Sequence, residues 1–298
     1  MRKGSRIHGW LVCDKPAGVT SRQLVGRARR LTGAARLGHG GTLDPLATGI
    51  LPVALGEATK TVAWCQDALK IYRVTARWGV STSTDDGEGD VTGTSDVRPS
   101  ADGIGAVLAS FTGDVSQTPP AFSAVKVAGK RAYALARKDI IPDLQPRLVK
   151  IERITLLAVE DRDHASFEVV SGKGTYMRAL IRDMAARLGT LGHVHALRRT
   201  RVGPFSLSMA ISVDSWLEHG RNALACGAIH PVETVLVDIP ALVVTESQAR
   251  QLRHGQAVRI GQTCKGTVRL QDDHGLVAIA KSDGDLVRPV RVFNHDGT

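Results

Sequence analysis

In the eighteen residues from Gly38 to Leu55, GHGGTLDPLATGILPVAL, the only acid is Asp44, set among glycine, small polar and aliphatic side chains. Two uses compete for it. Asp44 precedes Pro45, and an acid at the N-cap with proline at the first helical position is a common helix start, so local chemistry favours a cap. A carboxylate in apolar, glycine-rich surroundings also suits nucleophilic attack, provided a cation from elsewhere keeps it ionised. Other chemistries fit less well. Acid–base glycoside cleavage needs a second carboxylate, which a distant segment would have to bring. Phosphotransfer to aspartate usually has a second acid two residues on, and Leu46 stands there. The glycines of GHGG form neither GxGxxG nor GxxxxGK[ST], which argues against nucleotide binding.

Other residues add candidates. The segment after Gly174 spaces Met177, Leu180, Ile181, Met184, Ala185 and Leu188 as one helical stripe, with Arg178 and Arg182 beside it at i and i+4. Arg178 can turn inward, while Arg182 reads as a solvated neighbour. Tyr72, in KIYRV, is by pattern alone an ordinary strand aromatic. His193 and His195 have the HxH spacing of a metal pair but no third ligand nearby, and read as structural. The cysteines at 13, 65, 226 and 264 form no CxxC pair and suggest neither a zinc site nor a disulfide framework. These residues suggest no metal site.

The surroundings are basic. Lysine and arginine exceed aspartate and glutamate by 39 to 29, and the excess comes in blocks at 1–60, 126–157 and 173–201, against an acidic stretch at 81–102. Segregated positive surface attracts a polyphosphate; a basic surface selected for solubility explains the composition equally well. With 43% hydrophobic residues the chain can bury a core. No apolar run reaches the eighteen residues of a membrane span, and the apolar part of the N-terminus is too short for a signal peptide. A cytoplasmic protein with reduced thiols is expected.

The elements that must position these side chains alternate along the chain. GWLVCDK reads as a strand, followed by a helix capped by Thr20 or Ser21. KIYRVTARWGV alternates like a half-buried strand, ADGIGAVLASFTG suggests a helix ending at Gly113, and 147–159 with 164–172 read as neighbouring antiparallel strands. After the Arg178 helix, LGHVHALRRTRVG returns as a strand. The segment 121–146 is basic, broken by Gly and Pro, and reads as an exposed insertion. A boundary falls near 236–245, beyond which short strands between Gly and Asp turns suggest a small barrel. About sixty residues is marginal alone, so this domain should pack on the larger one.

Five ordered blocks carry a resemblance: DKPAGVTS; GHGGTLDPLATGILPVALGEATK; KIYRVTARWGVSTSTDDGEG; QTPPAFSAVKVAGKRAYALAR; and SGKGTYMRALIRDMAARLG with HALRRTRVG. Over residues 9–215 the chain resembles the TruB-type tRNA pseudouridine synthases. The family often has a threonine where this chain has Gly40 and Gly41, and the C-terminal domain is similar only in pattern to a PUA-like RNA-binding barrel. The resemblance implies an α+β fold with a mixed, largely antiparallel sheet, a catalytic domain over 1–235 with an RNA-contacting insertion at 121–146, and a PUA-like domain over 236–298. It implies isomerisation of uridine 55 in the T-loop of tRNA to pseudouridine, by base flipping, without a cofactor and without an obligate protein partner or membrane, in a monomer. Asp44 then corresponds to the nucleophile, Arg178 to the arginine that pairs with it, and Tyr72 to a tyrosine stacked on the base. Tyr176 and Leu197 match positions lining the uracil pocket, His39 a histidine packed into the flipped loop, and Lys15 a support of the active-site loop. For His39 and Lys15 a structural or turn role is an open alternative.

Overall fold

The computed structural model describes residues 6–123, 125–127, 130–131, 143–212 and 228–294. Most of the 121–146 insertion, whose closure over RNA the sequence suggests, and Cys226 lie outside the described residues.

The centre is a curved mixed sheet. Strand β1 (Gly9–Lys15) pairs antiparallel with β3 (Thr48–Leu55), to which the short β2 (Leu37–His39) is added. Both β1 and β3 are covered on two faces, so they read as continuous apolar runs and not as alternation. Beyond β3 the order continues through β10 (Gly192–Val202), β4 (Lys70–Trp78), β9 (His164–Ser171), β8 (Arg147–Val159) and β7 (Gly113–Gln117). Every neighbour pair from β10 to β7 is antiparallel; β3 and β10 run parallel and share only the Arg198↔Thr48 and Arg199↔Gly49 positions. The sheet is therefore two halves joined at one short seam. Gly49 makes the seam possible: its φ is 98°, and a Cβ there would stand 2.2 Å from the Arg199 carbonyl oxygen.

Between β4 and β9 the chain forms a small hairpin, β5 (Val80–Thr82) with β6 (Val91–Thr94), and the helix α3 (Ala101–Leu108). Helix α1 (Ser21–Thr32) starts at Thr20, whose hydroxyl accepts from the Gln23 amide while the Gln23 side chain accepts from the Thr20 amide, and it ends at left-handed Gly33. A one-turn-and-a-half helix α2 (Val62–Asp67) leads into β4. Helix α4 (Met177–Arg187) buries Met177, Leu180, Ile181, Met184 and Ala185 as its spacing predicts, and lies on β10 and β4.

The C-terminal domain is a three-stranded sheet in which β12 (Val258–Asp272) pairs antiparallel with β13 (Gly275–Val292) and parallel with β11 (Ala241–Val243), with helix α5 (Glu246–Arg253) packed on it. The strand order among the described residues is open, and two register shifts bend the long hairpin. The domain has a core of its own but also completes another: Leu276, Ile279 and Phe293 are buried in one cluster with Trp10, Val12, Ile50 and Ala54. Polar ties reinforce that joint. Glu57 accepts the Asn294 amide at 2.9 Å and Lys60 donates to the Val292 carbonyl at 2.7 Å.

Candidate active site

No helix begins at Pro45. Residues 42–47 form a loop that passes directly into β3, its only turn bond runs from the Ala47 amide to the Asp44 carbonyl at 3.1 Å, and the capping role that local chemistry favours for Asp44 is overturned. The carboxylate has another partner. Arg178 donates from Nε to Oδ2 at 2.9 Å and from Nη2 to Oδ1 at 3.1 Å, a two-pronged pairing that fixes both oxygens. The arginine side chain is 4% exposed and the aspartate 31%, so the cation is sealed behind an acid that still faces the cleft.

That cleft is a cavity of about 980 Å³ beside the seam of the two half-sheets, with Asp44, Tyr72, Tyr176, Arg178 and Leu197 in its wall. Tyr72 is half-buried on β4, Leu197 comes from β10, and Tyr176 from the residue preceding α4. Burial pushes the Tyr176 hydroxyl above the usual tyrosine range. The Tyr176 main chain is held on both sides by buried Gln117, which accepts its N–H at 2.8 Å and donates to its carbonyl at 3.0 Å. This pins the start of α4, one residue before Met177 and two before Arg178.

The two remaining candidates lie off the cleft wall. His39 ends β2, half-buried, and burial together with the Arg199 charge lowers its pKa; the cleft-lining Gln66 donates to its carbonyl at 3.4 Å. Lys15 is fully buried. Its ammonium donates to the carbonyls of Pro16 (2.9 Å), Val19 (2.7 Å) and Pro45 (2.9 Å), and burial lowers its pKa to about 8. With its three bonds to backbone carbonyls, its ammonium ties the turn after β1 to the Asp44 loop.

Lys15 is one member of a clamp that sequence pattern does not display. Arg199, 1% exposed, donates to the carbonyls of Gly41 (3.0 Å), Thr42 (3.3 Å) and Ile50 (2.8 Å). The Ser21 hydroxyl accepts the Leu43 N–H at 2.9 Å and donates to the Leu43 carbonyl at 3.0 Å. Every residue from Gly41 to Pro45 is thus gripped by a side chain from another element, so the carboxylate is oriented before any ligand arrives.

A second missed group comes from the acidic stretch. Arg178 also donates to the carbonyls of Thr84 and Phe122, both at 2.9 Å, and its Nη1 lies 3.5 Å from the Asp86 carboxylate, which is 4% exposed. Asp86 in turn accepts from the Thr84 hydroxyl and the Glu88 amide. The guanidinium therefore serves two acids, one buried and one at the cleft. Arg182 is not merely solvated: it bonds Asp85 (2.9 Å), Asp183 (2.9 Å) and the Thr118 carbonyl (2.8 Å). Asp85 has a φ of 60° and is the only non-glycine residue in that region among the described residues. The visible signal is a run of acids inside a basic chain. His193 is buried and its Nδ1 donates to the Val80 carbonyl (2.8 Å), while exposed His195 lies against His164. No group of three metal-ligating side chains occurs among the described residues.

The split sheet defines the class by its fold, and a chain in the crystal structure of a Cbf5-Nop10-Gar1 complex is similar in fold: 27% identity, TM-score 0.72, covering 96% of this chain and 84% of that one. An H/ACA ribonucleoprotein bound to a substrate RNA containing 2'-deoxyuridine has the same fold, at 24% identity and TM-score 0.72. Sequence comparison narrows the class. Residues 29–177 match the TruB family pseudouridylate synthase N-terminal domain, 178–237 the tRNA pseudouridylate synthase B C-terminal domain, and 240–293 the pseudouridine synthase II TruB C-terminal domain. The tRNA pseudouridine synthase B of Rhodospirillum rubrum is 48% identical over 98% of both chains, and that of Bradyrhizobium diazoefficiens 50% identical over 98% of this chain and 87% of its own. The chain belongs to the TruB family of pseudouridine synthases.

Proposed function

We propose that the protein converts uridine 55 in the T-loop of tRNA to pseudouridine, with Asp44 as nucleophile, Arg178 as its ion-pair partner and Tyr72, Tyr176 and Leu197 against the flipped base. The observation that carries this reading is the two-pronged Arg178–Asp44 pair, with the acid facing a large cleft and the cation sealed behind it. A uridine inside a folded loop must leave its stack to meet that carboxylate. Attack by an Asp44 oxygen, at C1' of the ribose or C6 of the base, accompanies loss of the N1–C1' bond. The uracil turns within the cleft, C5 bonds to C1', the bond to Asp44 breaks and frees the carboxylate, the C5 proton leaves and N1 gains one. The base that departs is the base that returns, so the balance needs no outside reagent.

His39 sits beside the cleft and is read as packing against the flipped loop; Lys15 is read as holding the loop of Asp44. Residues 1–235 are read as the catalytic domain and 236–298 as a PUA-like RNA-binding domain. The enzyme is read as acting in the cytoplasm, as a monomer; no helix among the described residues is long and apolar enough to cross a membrane.

Asp44→Asn tests the role of the acid. The amide keeps the size of the side chain and one acceptor for Arg178. The variant should melt near the parent, bind unmodified tRNA and form no pseudouridine. Conversion at a rate comparable to the parent would remove Asp44 from the chemistry.

A further inference from the structure

Strand β4 shows its two faces to two different cavities. Tyr72 looks into the active cleft, while Arg73, Thr75 and Arg77, one position out of phase, line a second cavity of about 820 Å³. Leu197 and Glu88 belong to the walls of both, so the two spaces adjoin. The floor of the second is sheet surface: Arg73 stands opposite Arg198 of β10 and Glu168 of β9, and Arg77 opposite His193 and His164. Its far wall is the segment from Gly87 to Val91.

The charges there do not balance internally. Glu168 is occupied by Arg153 at 2.9 Å, Asp14 by Arg198 at 2.7 Å, and Asp161 by His164 at 3.0 Å. Arg73 and Arg77 are exposed and have neither an ion pair nor a side-chain hydrogen bond among the described residues. The rim acid is Glu88. Two arginines stand directly opposite on paired strands, Arg73 and Arg198, and like charges so placed repel each other. Four strand positions separate Arg73 from Arg77, about 13 Å at the usual rise. Exposed guanidinium groups spread along an open trough suit a long polyanion better than a small one, which would need a closed ring of donors.

We propose that this second cavity binds the sugar–phosphate backbone of the substrate RNA next to the uridine held in the active cleft, with Arg73 and Arg77 contacting phosphates of one strand. The inference rests on the RNA-modifying reading above and adds the track by which the flanking chain is held.

The test uses the full-length protein, unmodified tRNA, and two variants: the double substitution Arg73→Gln/Arg77→Gln, and Ala196→Glu, which puts an acid on the exposed cavity floor. Binding is titrated over a salt series near 0.1 M, thermal melts check folding, and phosphate ethylation interference maps the contacts. We expect the double variant to bind about tenfold more weakly, with the salt slope reduced by roughly one to two units. Ala196→Glu should weaken binding similarly, and ethylation next to the target uridine should interfere in the parent but not in the double variant. Should the double variant not fold, Ala196→Glu decides. Affinity and slope within about twofold of the parent in the folded variants overturn the proposal. So does competition by inorganic phosphate at matched ionic strength, which marks a small-anion site. Pseudouridine assay of the parent separates the two readings: a parent that modifies tRNA while its variants bind normally sinks only the cavity, and a parent that modifies none sinks the function.

Discussion

Arg178 and Asp44, 134 positions apart, meet through two hydrogen bonds of 2.9 and 3.1 Å, while the third nitrogen of the same guanidinium lies 3.5 Å from Asp86. One buried cation is shared by two acids, and the consequences of changing any of the three differ.

Arg178→Met leaves Asp86, 4% exposed, without its cation and strips two carbonyls of their donor. Breaking a buried pair from one side costs about 3–5 kcal/mol, so this variant should lose stability as well as activity. Arg178→Lys keeps the charge but cannot make both bonds to Asp44; it should melt closer to the parent and still lose roughly a hundredfold or more in single-turnover rate. A methionine variant as stable as the parent by chemical denaturation would show that the pair is not sealed as described.

Asp86→Asn keeps the hydrogen bonds from the Thr84 hydroxyl and the Glu88 amide, which both go to Oδ1, but replaces the charged Oδ2 beside Arg178 by a neutral amide. The guanidinium then has Asp44 as its single anionic partner. We expect a stability loss of about 1–3 kcal/mol and a fall in single-turnover rate of about tenfold to a hundredfold, with tRNA affinity little changed. Rate and stability both at the parental level would make Asp86 a bystander.

Lys70 is 5% exposed, lines the cleft and donates to the carbonyls of Gln66 and Ala68; burial lowers its pKa from 10.5 to about 8. Between those values the unfolded chain holds a proton that the folded chain has released, so stability rises with pH across that window. Below about pH 8 both states are protonated and the burial cost is present in full. The parent should therefore gain melting temperature relative to Lys70→Met between pH 8 and about 10, measured as the difference between paired melts. A difference that stays flat or falls would place the Lys70 titration elsewhere.

A chain cut near Asp238 loses Leu276, Ile279 and Phe293 from the cluster around Trp10, Val12 and Ile50. Each fully buried side chain of that size stabilises by roughly 1.5–3 kcal/mol. We expect the truncation to melt lower and aggregate more readily, beyond any weakening of RNA binding. Calorimetry of the purified fragment checks this: an unshifted melt would show that the catalytic domain closes its core unaided.

Much of the fold was legible in the chain because its signals are local. The Thr20 capping box, the stripe of α4 and the alternation of β4 each depend on residues within a few positions of one another. So was the choice of Asp44 as the acid to watch, since its neighbourhood holds no other. The same local view misread what Asp44 does with its backbone: Asp-Pro looks like a helix start, and only a guanidinium arriving from α4 decides that the carboxylate serves the cleft instead. The grip of Lys15, Ser21 and Arg199 on residues 41–45, the second acid at Asp86, the shared core with Phe293 and the two-cavity placement of β4 were set by the tertiary structure alone. Each is a distance between segments far apart in the chain, and the residue types at either end carry no mark of the partner they will meet.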